Sequence, residues 1–249
     1  MSNPTAAILI IGNEILSGRT QDVNVQFIAK GVAELGIRLE EVRVVPDIPA
    51  RIIGAVNELR AAYTMLFTTG GIGPTHDDIT SECVAAAFGV PLLLHEPTAA
   101  VMRERWGERV NDARLRMAMM PEGAEPIKNE ASIAPGFTIG NVHVMAGVPR
   151  IMQSMFQALA PSLPRGQRIE MRAVHGIGVL EGSIAARLEQ IQARFPQLDL
   201  GSYPFKRDER WGVTLVAKGT DIPALDAALA ETTALIAAEG VAPMPGEPD

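Results

Sequence analysis

Short apolar runs alternate with helical patterns along the first half of the chain. The run AAILII at residues 6–11 is continuous, as expected of a strand buried on both faces of a sheet. A helical pattern follows and ends at Gly36, and the same succession recurs up to the run TMLFTT at residues 64–69. This alternation predicts βαβ units and a parallel sheet, whose ligands usually lie outside the carboxyl ends of the strands.

A change of pattern divides the chain into two domains. The segment SLPRGQ at residues 162–167 ends the first pattern, and a βαββα pattern follows it. We therefore expect an α/β domain over residues 1–164 and a small α+β domain of helices on an antiparallel sheet over residues 165–240. The proline-rich residues 241–249 are expected to fray. The helical spacing of residues 111–120 predicts one more helix in the first domain.

Composition excludes several functional classes. The net charge is -7 and the cations are scattered among acids, so no nucleic-acid footprint is visible. Cys83 is the only cysteine, which excludes an intramolecular disulfide and fits a reducing cytosol. The N-terminus lacks a basic segment before its short apolar run, and no run is long enough for a membrane span. The sequence predicts a cytoplasmic protein with small-molecule partners, without nucleic acid or membrane.

The stretch TTGGIGPTHDDIT at residues 68–80 joins a buried strand to the start of a helix through a glycine-rich turn. Glycines at such a turn let backbone N–H groups approach an anion, and the helix dipole favours negative charge. This predicts a phosphate site. A second interpretation is equally open, because Thr75-x-x-Asp78 has the spacing of a capping box that only supports the first helical turn.

Asp77 and Asp78 would repel a phosphate bound beside them. The helix dipole favours an anion by roughly 0.3–1 kcal/mol, whereas two unit charges about 4 Å apart interact by roughly 4 kcal/mol at an effective dielectric near 20. Two arrangements avoid this repulsion. A divalent cation could bridge carboxylate and phosphate, or the acids could accept hydrogen bonds from a ligand whose phosphate lies further along the loop.

Further motifs accompany the loop in the order and spacing of a known family. They are GNEILSG at residues 12–18, Asp22 with Asn24, Asp47, Asn129 with APG at 134–136, GVP at 147–149 and GSYP at 201–204. Together they resemble the molybdopterin-binding fold family of MoaB, MogA and the gephyrin G domain. They are more closely similar to the N-terminal region of CinA and to the N-terminal domain of eukaryotic FAD synthases. The sequence departs from this family at Ala146, where proline is usual, and at Ser132, where glycine is common.

The resemblance implies a three-layer, parallel-sheet domain of the MogA type and assigns roles to the loop. A phosphate or diphosphate would lie on its backbone N–H groups, and Asp78, with Asp77 and Glu14, would hold a divalent Mg, Mn or Co ion. Asp78 and Glu14 would then be the catalytic residues. Glu14 could ligate the ion or orient the attacking water, or it could only cap the next turn. The phosphate-binding residues would be Thr69, Gly70, Gly71 and Gly73.

Other residues near the strand ends are candidates for ligand binding. Asp47 follows the second strand, where it could bind a ribose or pterin or simply belong to a turn. Asn24 and Ser17 are candidate polar liners of the site, and Gly147 and Pro149 belong to a family motif. The resemblance also implies a homo-oligomer, a dimer or a trimer. Because the chain ends before it, we expect no C-terminal amidase domain.

Three functions remain open at this stage. The first is metal-dependent hydrolysis of a nucleotide pyrophosphate such as ADP-ribose or FAD. The second is binding of molybdopterin, or adenylyl transfer to it, in molybdenum cofactor metabolism. The third is a non-catalytic interaction module, for which substitution of Asp78 would change only helix stability.

Overall fold

The computed structural model describes residues 3–207 and 209–248. The chain forms two compact units, Met1–Gln167 and Arg168–Asp249. Residues 166 and 167 lie with the first unit, because the Gly166 N–H donates to the Leu35 carbonyl at 2.9 Å and the Asn3 amide donates to the Gln167 carbonyl at 2.8 Å. No helix in the described part of the chain is long and apolar enough to cross a membrane.

The first unit is an α/β domain, as the sequence predicts. Its strands are β1 (Thr5–Ile11), β2 (Arg38–Val45), β3 (Met65–Thr69), β4 (Leu92–Leu94), β5 (Met119–Pro121), β6 (Glu125–Ile127), β7 (Gly136–Ile139) and β8 (Val142–Met145). Its helices are α1 (Asn13–Leu16), α2 (Asn24–Glu34), α3 (Pro49–Ala62), α4 (Thr80–Phe88), α5 (Glu96–Trp106), α6 (Asp112–Arg116) and α7 (Pro149–Leu159).

Six of these strands form one mixed sheet in the order β2-β1-β3-β8-β7-β6. The first four are parallel, and β7 is antiparallel to both of its neighbours. The predicted parallel sheet therefore contains one antiparallel strand, β7, between β8 and the edge strand β6. It arises because GFTIG and VHVMA are joined by the tight turn at Gly140–Asn141, which permits only a hairpin.

Side chains of the buried strands alternate between two cores, which confirms the three-layer arrangement. Ala7 and Leu9 pack with Val56 of α3 and other residues on one face of the sheet. Ala6 and Ile8 face the opposite side, where they pack with helices α2 and α7. A continuous apolar run was necessary at β1 because both faces of the strand are covered.

The second unit has the predicted βαββα order. It contains β9 (Glu170–Ile177), α8 (Glu181–Arg194), β10 (Asp199–Arg207), β11 (Arg210–Gly219), α9 (Ile222–Ala238) and β12 (Met244–Pro245). The strands form an antiparallel sheet in the order β10-β11-β9-β12. Both helices pack on one face of this sheet, where Ile184 of α8 and Ile236 of α9 meet Val174 and Leu215.

Two sequence predictions differ from the structure. The expected helix over residues 111–120 ends at Arg116, because Met119–Pro121 pair with Leu92–Leu94 as a strand instead. Fraying was expected over residues 241–249, but Met244–Pro245 form the strand β12, which pairs with β9. In both places long-range strand pairing overrides the local pattern.

Candidate functional site

The carboxyl ends of four parallel strands bring the candidate residues to one edge of the sheet. Thr69 at the end of β3 is aligned with Ile10 of β1 and with Met145 of β8. After β1 the chain continues to β2 on one side of β1, and after β2 it crosses to β3 on the other side. Because the connections diverge at this point of the sheet, a crevice opens between β1 and β3. The glycine loop follows β3 directly, and Glu14 follows β1.

Close approach and backbone conformation require glycine at two positions of this loop. Gly70 has φ +101°, and a Cβ there would lie 2.1 Å from the Ile11 carbonyl oxygen. Gly71 has φ +67°, and a Cβ there would lie 2.2 Å from the Thr80 hydroxyl. Both backbone conformations are rarely adopted by residues with side chains. The glycines are therefore required by the shape of the loop itself.

Thr80 at the start of α4 fixes the loop against the helix. Its hydroxyl donates to the Gly70 carbonyl at 2.9 Å, and its backbone N–H donates to the Gly71 carbonyl at 2.9 Å. The side chain is fully buried. Two carbonyls of the loop are thereby turned towards Thr80, and the Gly70 N–H, predicted to bind phosphate, donates instead to the Met145 carbonyl at 3.2 Å.

Asp78 stabilises the turn before the helix. Its Oδ2 accepts a hydrogen bond from the Thr75 N–H at 2.8 Å and a further one from the Thr75 hydroxyl. The Asp78 N–H donates in return to the Thr75 carbonyl at 3.2 Å. These bonds resemble those of a capping box, but the helix begins only at Thr80, so they close a separate turn. Both side-chain bonds use Oδ2, and Oδ1 receives none from the described residues.

A cleft of about 360 Å³ lies beside the loop, and we call it the glycine-loop cleft. Glu14 and Asp78 are the only ionisable side chains among the described residues that line it. The structure thus brings together the two residues predicted to be catalytic. The remaining lining is backbone and apolar surface: Gly70–Pro74, Met117, Ser132, Ala134, Ala146–Val148, Ile151 and Met155.

A smaller cavity of about 60 Å³ adjoins this cleft, with Glu14, Gly70 and Gly147 in the walls of both. Asn24 also lines it and is 4% exposed. Its Nδ2 donates to the Gly147 carbonyl at 2.8 Å, while its Oδ1 is buried and has no hydrogen-bond partner among the described residues. A buried amide oxygen of this kind is expected to bind a water or a ligand. Pro149 belongs to the same wall.

Three predicted site residues lie outside the linings of both spaces. The Asp47 carboxylate accepts the Asn13 N–H at 2.8 Å, so it connects the end of β2 to helix α1. The Ser17 hydroxyl donates to the Glu14 carbonyl at 3.2 Å. Asp77 is exposed and lines neither space. The structure gives Asp47 and Ser17 roles in local structure.

The carboxylates of the cleft suit a hard cation whose other coordination positions are filled by a bound ligand and water. No group of three His, Cys, Asp or Glu side chains that could hold a metal occurs within the described residues. Glu14 and Asp78 supply two carboxylates in the glycine-loop cleft. Mg²⁺ is commonly held by one or two carboxylates together with substrate phosphates and several waters. The residues present therefore fit such an ion only together with a bound phosphate.

Sequence reasoning missed two parts of this site. Thr80 carries no motif that distinguishes it from an ordinary helix residue, and only the fold shows that it holds the loop. Ser132 and Ala134 were noted only as part of a family motif, and their place in the cleft lining depends on tertiary structure. Ala146, where the sequence analysis noted a departure from the family motif, has an N–H that donates to the Met155 sulfur at 3.4 Å.

The fold and the loop define a three-layer α/β domain with a glycine turn at the edge of its sheet. Residues 7–165 match the family described as "Probable molybdopterin binding domain", and the chain belongs to this family. Residues 176–244 match the family described as "FAD synthase, middle domain".

Individual proteins show the same similarity. A protein of Aeropyrum pernix is 35% identical over 214 residues, covering 81% of this chain and 80% of its own. A CinA-like protein of Gloeobacter violaceus is 36% identical over 200 residues, covering 75% of this chain and 47% of its own length. Among solved structures, the protein CinA of unknown function from Thermoplasma acidophilum has a TM-score of 0.61 at 30% identity, covering 65% of this chain and 99% of that one.

Proposed function

We propose that the protein hydrolyses a nucleotide pyrophosphate, such as ADP-ribose or FAD, with a divalent metal ion. One observation carries this proposal: two carboxylates, Glu14 and Asp78, line the cleft of a glycine loop and face no basic side chain there. In a site that only bound phosphate, these carboxylates would weaken binding. They favour binding only when a cation lies between them and the phosphate.

The residues of the cleft have distinct tasks in this reaction. Backbone N–H groups of the loop from Gly71 to Gly73 hold one phosphate of the diphosphate. Asp78 and Glu14 hold the ion, which when bound neutralises phosphate charge and polarises a phosphoryl oxygen. Glu14 also accepts a hydrogen bond from the attacking water and orients it. The water oxygen forms a bond to phosphorus and loses a proton to solvent, the bridging P–O bond breaks with its electron pair going to the bridging oxygen, and two phosphomonoesters leave.

The relatives support a nucleotide substrate. The second unit matches the middle domain of FAD synthase, an enzyme named for a dinucleotide that contains a diphosphate. The first unit matches a family described by molybdopterin binding, and that ligand also carries a phosphate. Both descriptions agree with a phosphate on the loop.

The test is hydrolysis of ADP-ribose and FAD by the purified chain, with Mg²⁺, Mn²⁺ or Co²⁺ and with a chelator. We expect turnover that requires metal and falls at least 100-fold in Asp78→Asn and in Glu14→Gln. Asp77→Asn is the matched control, because Asp77 is the exposed neighbour outside the cleft lining. Equal loss in Asp77→Asn, or turnover that persists after chelation, would contradict the assignment.

A second candidate is binding of a pterin phosphate without hydrolysis. It is favoured by the apolar wall of the cleft, where Met117, Val148 and Ile151 could contact a flat ring. Tight binding of a pterin phosphate by a protein that hydrolyses no dinucleotide would select this function over the first.

A further inference from the structure

A second and larger cleft lies on the other side of the segment 128–135. Its volume is about 840 Å³, within the usual range of small-molecule sites. It is bounded by helix α5, helix α7 and the 128–135 segment. Ser132 lines both this second cleft and the glycine-loop cleft, so the two spaces adjoin at this residue.

The two clefts differ in charge. Arg105 and Lys128 line the second cleft, and neither forms an ion pair with any described residue. Arg103, on the same helix as Arg105, differs from it in that it pairs with Glu96 at 3.0 Å. Glu130 is the only acidic residue among those lining the second cleft. In a chain of net charge -7, this cleft offers an anion two basic side chains beside a single carboxylate.

The wall between the clefts is held by its own hydrogen bonds. The Asn129 side chain donates to the Ala134 carbonyl at 2.8 Å and accepts the Ser132 N–H at 2.5 Å. The Glu130 N–H donates to the Ser154 hydroxyl of α7 at 2.9 Å. A segment that is closed by internal bonds and attached to α7 in this way is a preformed wall, which reduces the entropy that ligand binding would cost.

The surface of the second cleft combines apolar and basic groups. Val101 of α5, which is 43% exposed, and Ile133 present apolar side chains, and Pro97 and Pro135 add rigid apolar surface. A ring system could lie against such surface while Arg105 or Lys128 binds an anionic group attached to it. A nucleotide contains both a ring system and an attached anionic phosphate.

We propose that the second cleft binds the distal half of a dinucleotide, including its second phosphate, while the first phosphate of the scissile diphosphate lies on the glycine loop. This inference rests on the proposed function and specifies its substrate class. The substrate crosses Ser132, with one phosphate on the loop and its second nucleoside or sugar-phosphate half beside Arg105 and Lys128. A mononucleotide would occupy the glycine-loop cleft alone. The site therefore selects molecules with two halves joined by a diphosphate.

The test compares the Arg105→Gln/Lys128→Gln double variant with wild type in ADP-ribose and FAD hydrolysis. We expect KM to rise at least tenfold while kcat changes less than threefold, and the Kd of AMP, measured by calorimetry with Mg²⁺, to stay within twofold. Arg103→Gln is the control, because it removes a cation of the same helix from outside the cleft lining. It should keep the wild-type KM.

The outcomes separate this inference from the proposed function. Wild-type hydrolysis combined with an unchanged KM in the double variant overturns only the second subsite. A rise in the AMP Kd that matches the rise in KM also overturns it, because the cations would then act on the loop cleft. A wild-type chain that neither hydrolyses nor binds either dinucleotide overturns both proposals.

Discussion

His143 makes the stability of the first domain depend on pH. It lies in β8, is 8% exposed and stacks on Phe67 at a ring-centroid distance of 5.2 Å. Its Nδ1 lies 3.0 Å from the Thr138 hydroxyl. Burial lowers the pKa of His143 from 6.5 to about 4. The neutral ring is therefore favoured in the folded state, whereas the unfolded chain takes up a proton below about pH 6.5.

The sign and size of the effect follow from this difference. Below pH 6.5 the unfolded state binds more protons than the folded state, so the free energy of unfolding falls as the pH falls towards 4. With pKa values of 6.5 and about 4, the loss from pH 7.5 to pH 5.0 is about 2 kcal/mol. The stability contributed by the neutral His143 ring is fully present only above 6.5, the pKa of this histidine in the unfolded chain.

Urea denaturation at pH 7.5 and 5.0 measures this loss. The Trp211→Phe background leaves Trp106 of the first unit as the only tryptophan, so its fluorescence reports on the domain that contains His143. Carboxylates also titrate between these pH values. The His143→Gln variant has the same carboxylates but no imidazole at this position, so its loss of stability gives their contribution. We expect the wild type to lose about 2 kcal/mol more than His143→Gln between the two pH values. An equal loss in both proteins, or an NMR titration of His143 near pH 6.5, would refute the reasoning.

Three further predictions concern the loop and the core beside it. Gly71→Ala, at φ +67° and facing the Thr80 hydroxyl, should lower the free energy of unfolding by at least about 1 kcal/mol and abolish phosphate binding, measured by denaturation and calorimetry. Thr80→Val should cost about 1–3 kcal/mol because it leaves the Gly70 carbonyl without its hydroxyl partner, while Thr80→Ser should retain most of that stability. Cys83 is 3% exposed, and burial raises its pKa to about 11, so it should react with a thiol reagent at pH 8 only as fast as the protein opens.

Much of the first domain could be predicted because its strands are buried on both faces. The run at residues 6–11 is continuously apolar and Met65–Thr69 is buried throughout, as expected of strands that are covered on both faces. The short strand β5 could not be predicted in the same way. Its Met120 lies in a stretch with helical spacing, and it becomes a strand only because Leu93 pairs with it from a distant segment.

The site was predictable to the extent that it is local in sequence. Gly70, Gly71 and Asp78 belong to one stretch, and Glu14 follows a strand that parallel pairing brings to the same edge. Ser132 and Arg105 could not be placed in advance. They come from segments of irregular structure and a surface helix, whose positions depend on packing rather than on any periodic pattern.

Asp78 has a structural task that complicates every test of its chemistry. Its Oδ2 accepts the Thr75 N–H at 2.8 Å, so Asp78→Ala would open the turn and lower activity even in a protein with no metal. Asp78→Asn keeps an oxygen acceptor for Thr75 but removes the charge that a cation needs. A catalytic role predicts that both variants lose turnover, while only Asp78→Ala loses stability in urea. If Asp78→Asn kept wild-type turnover, Asp78 would be a residue of the turn and not of the reaction.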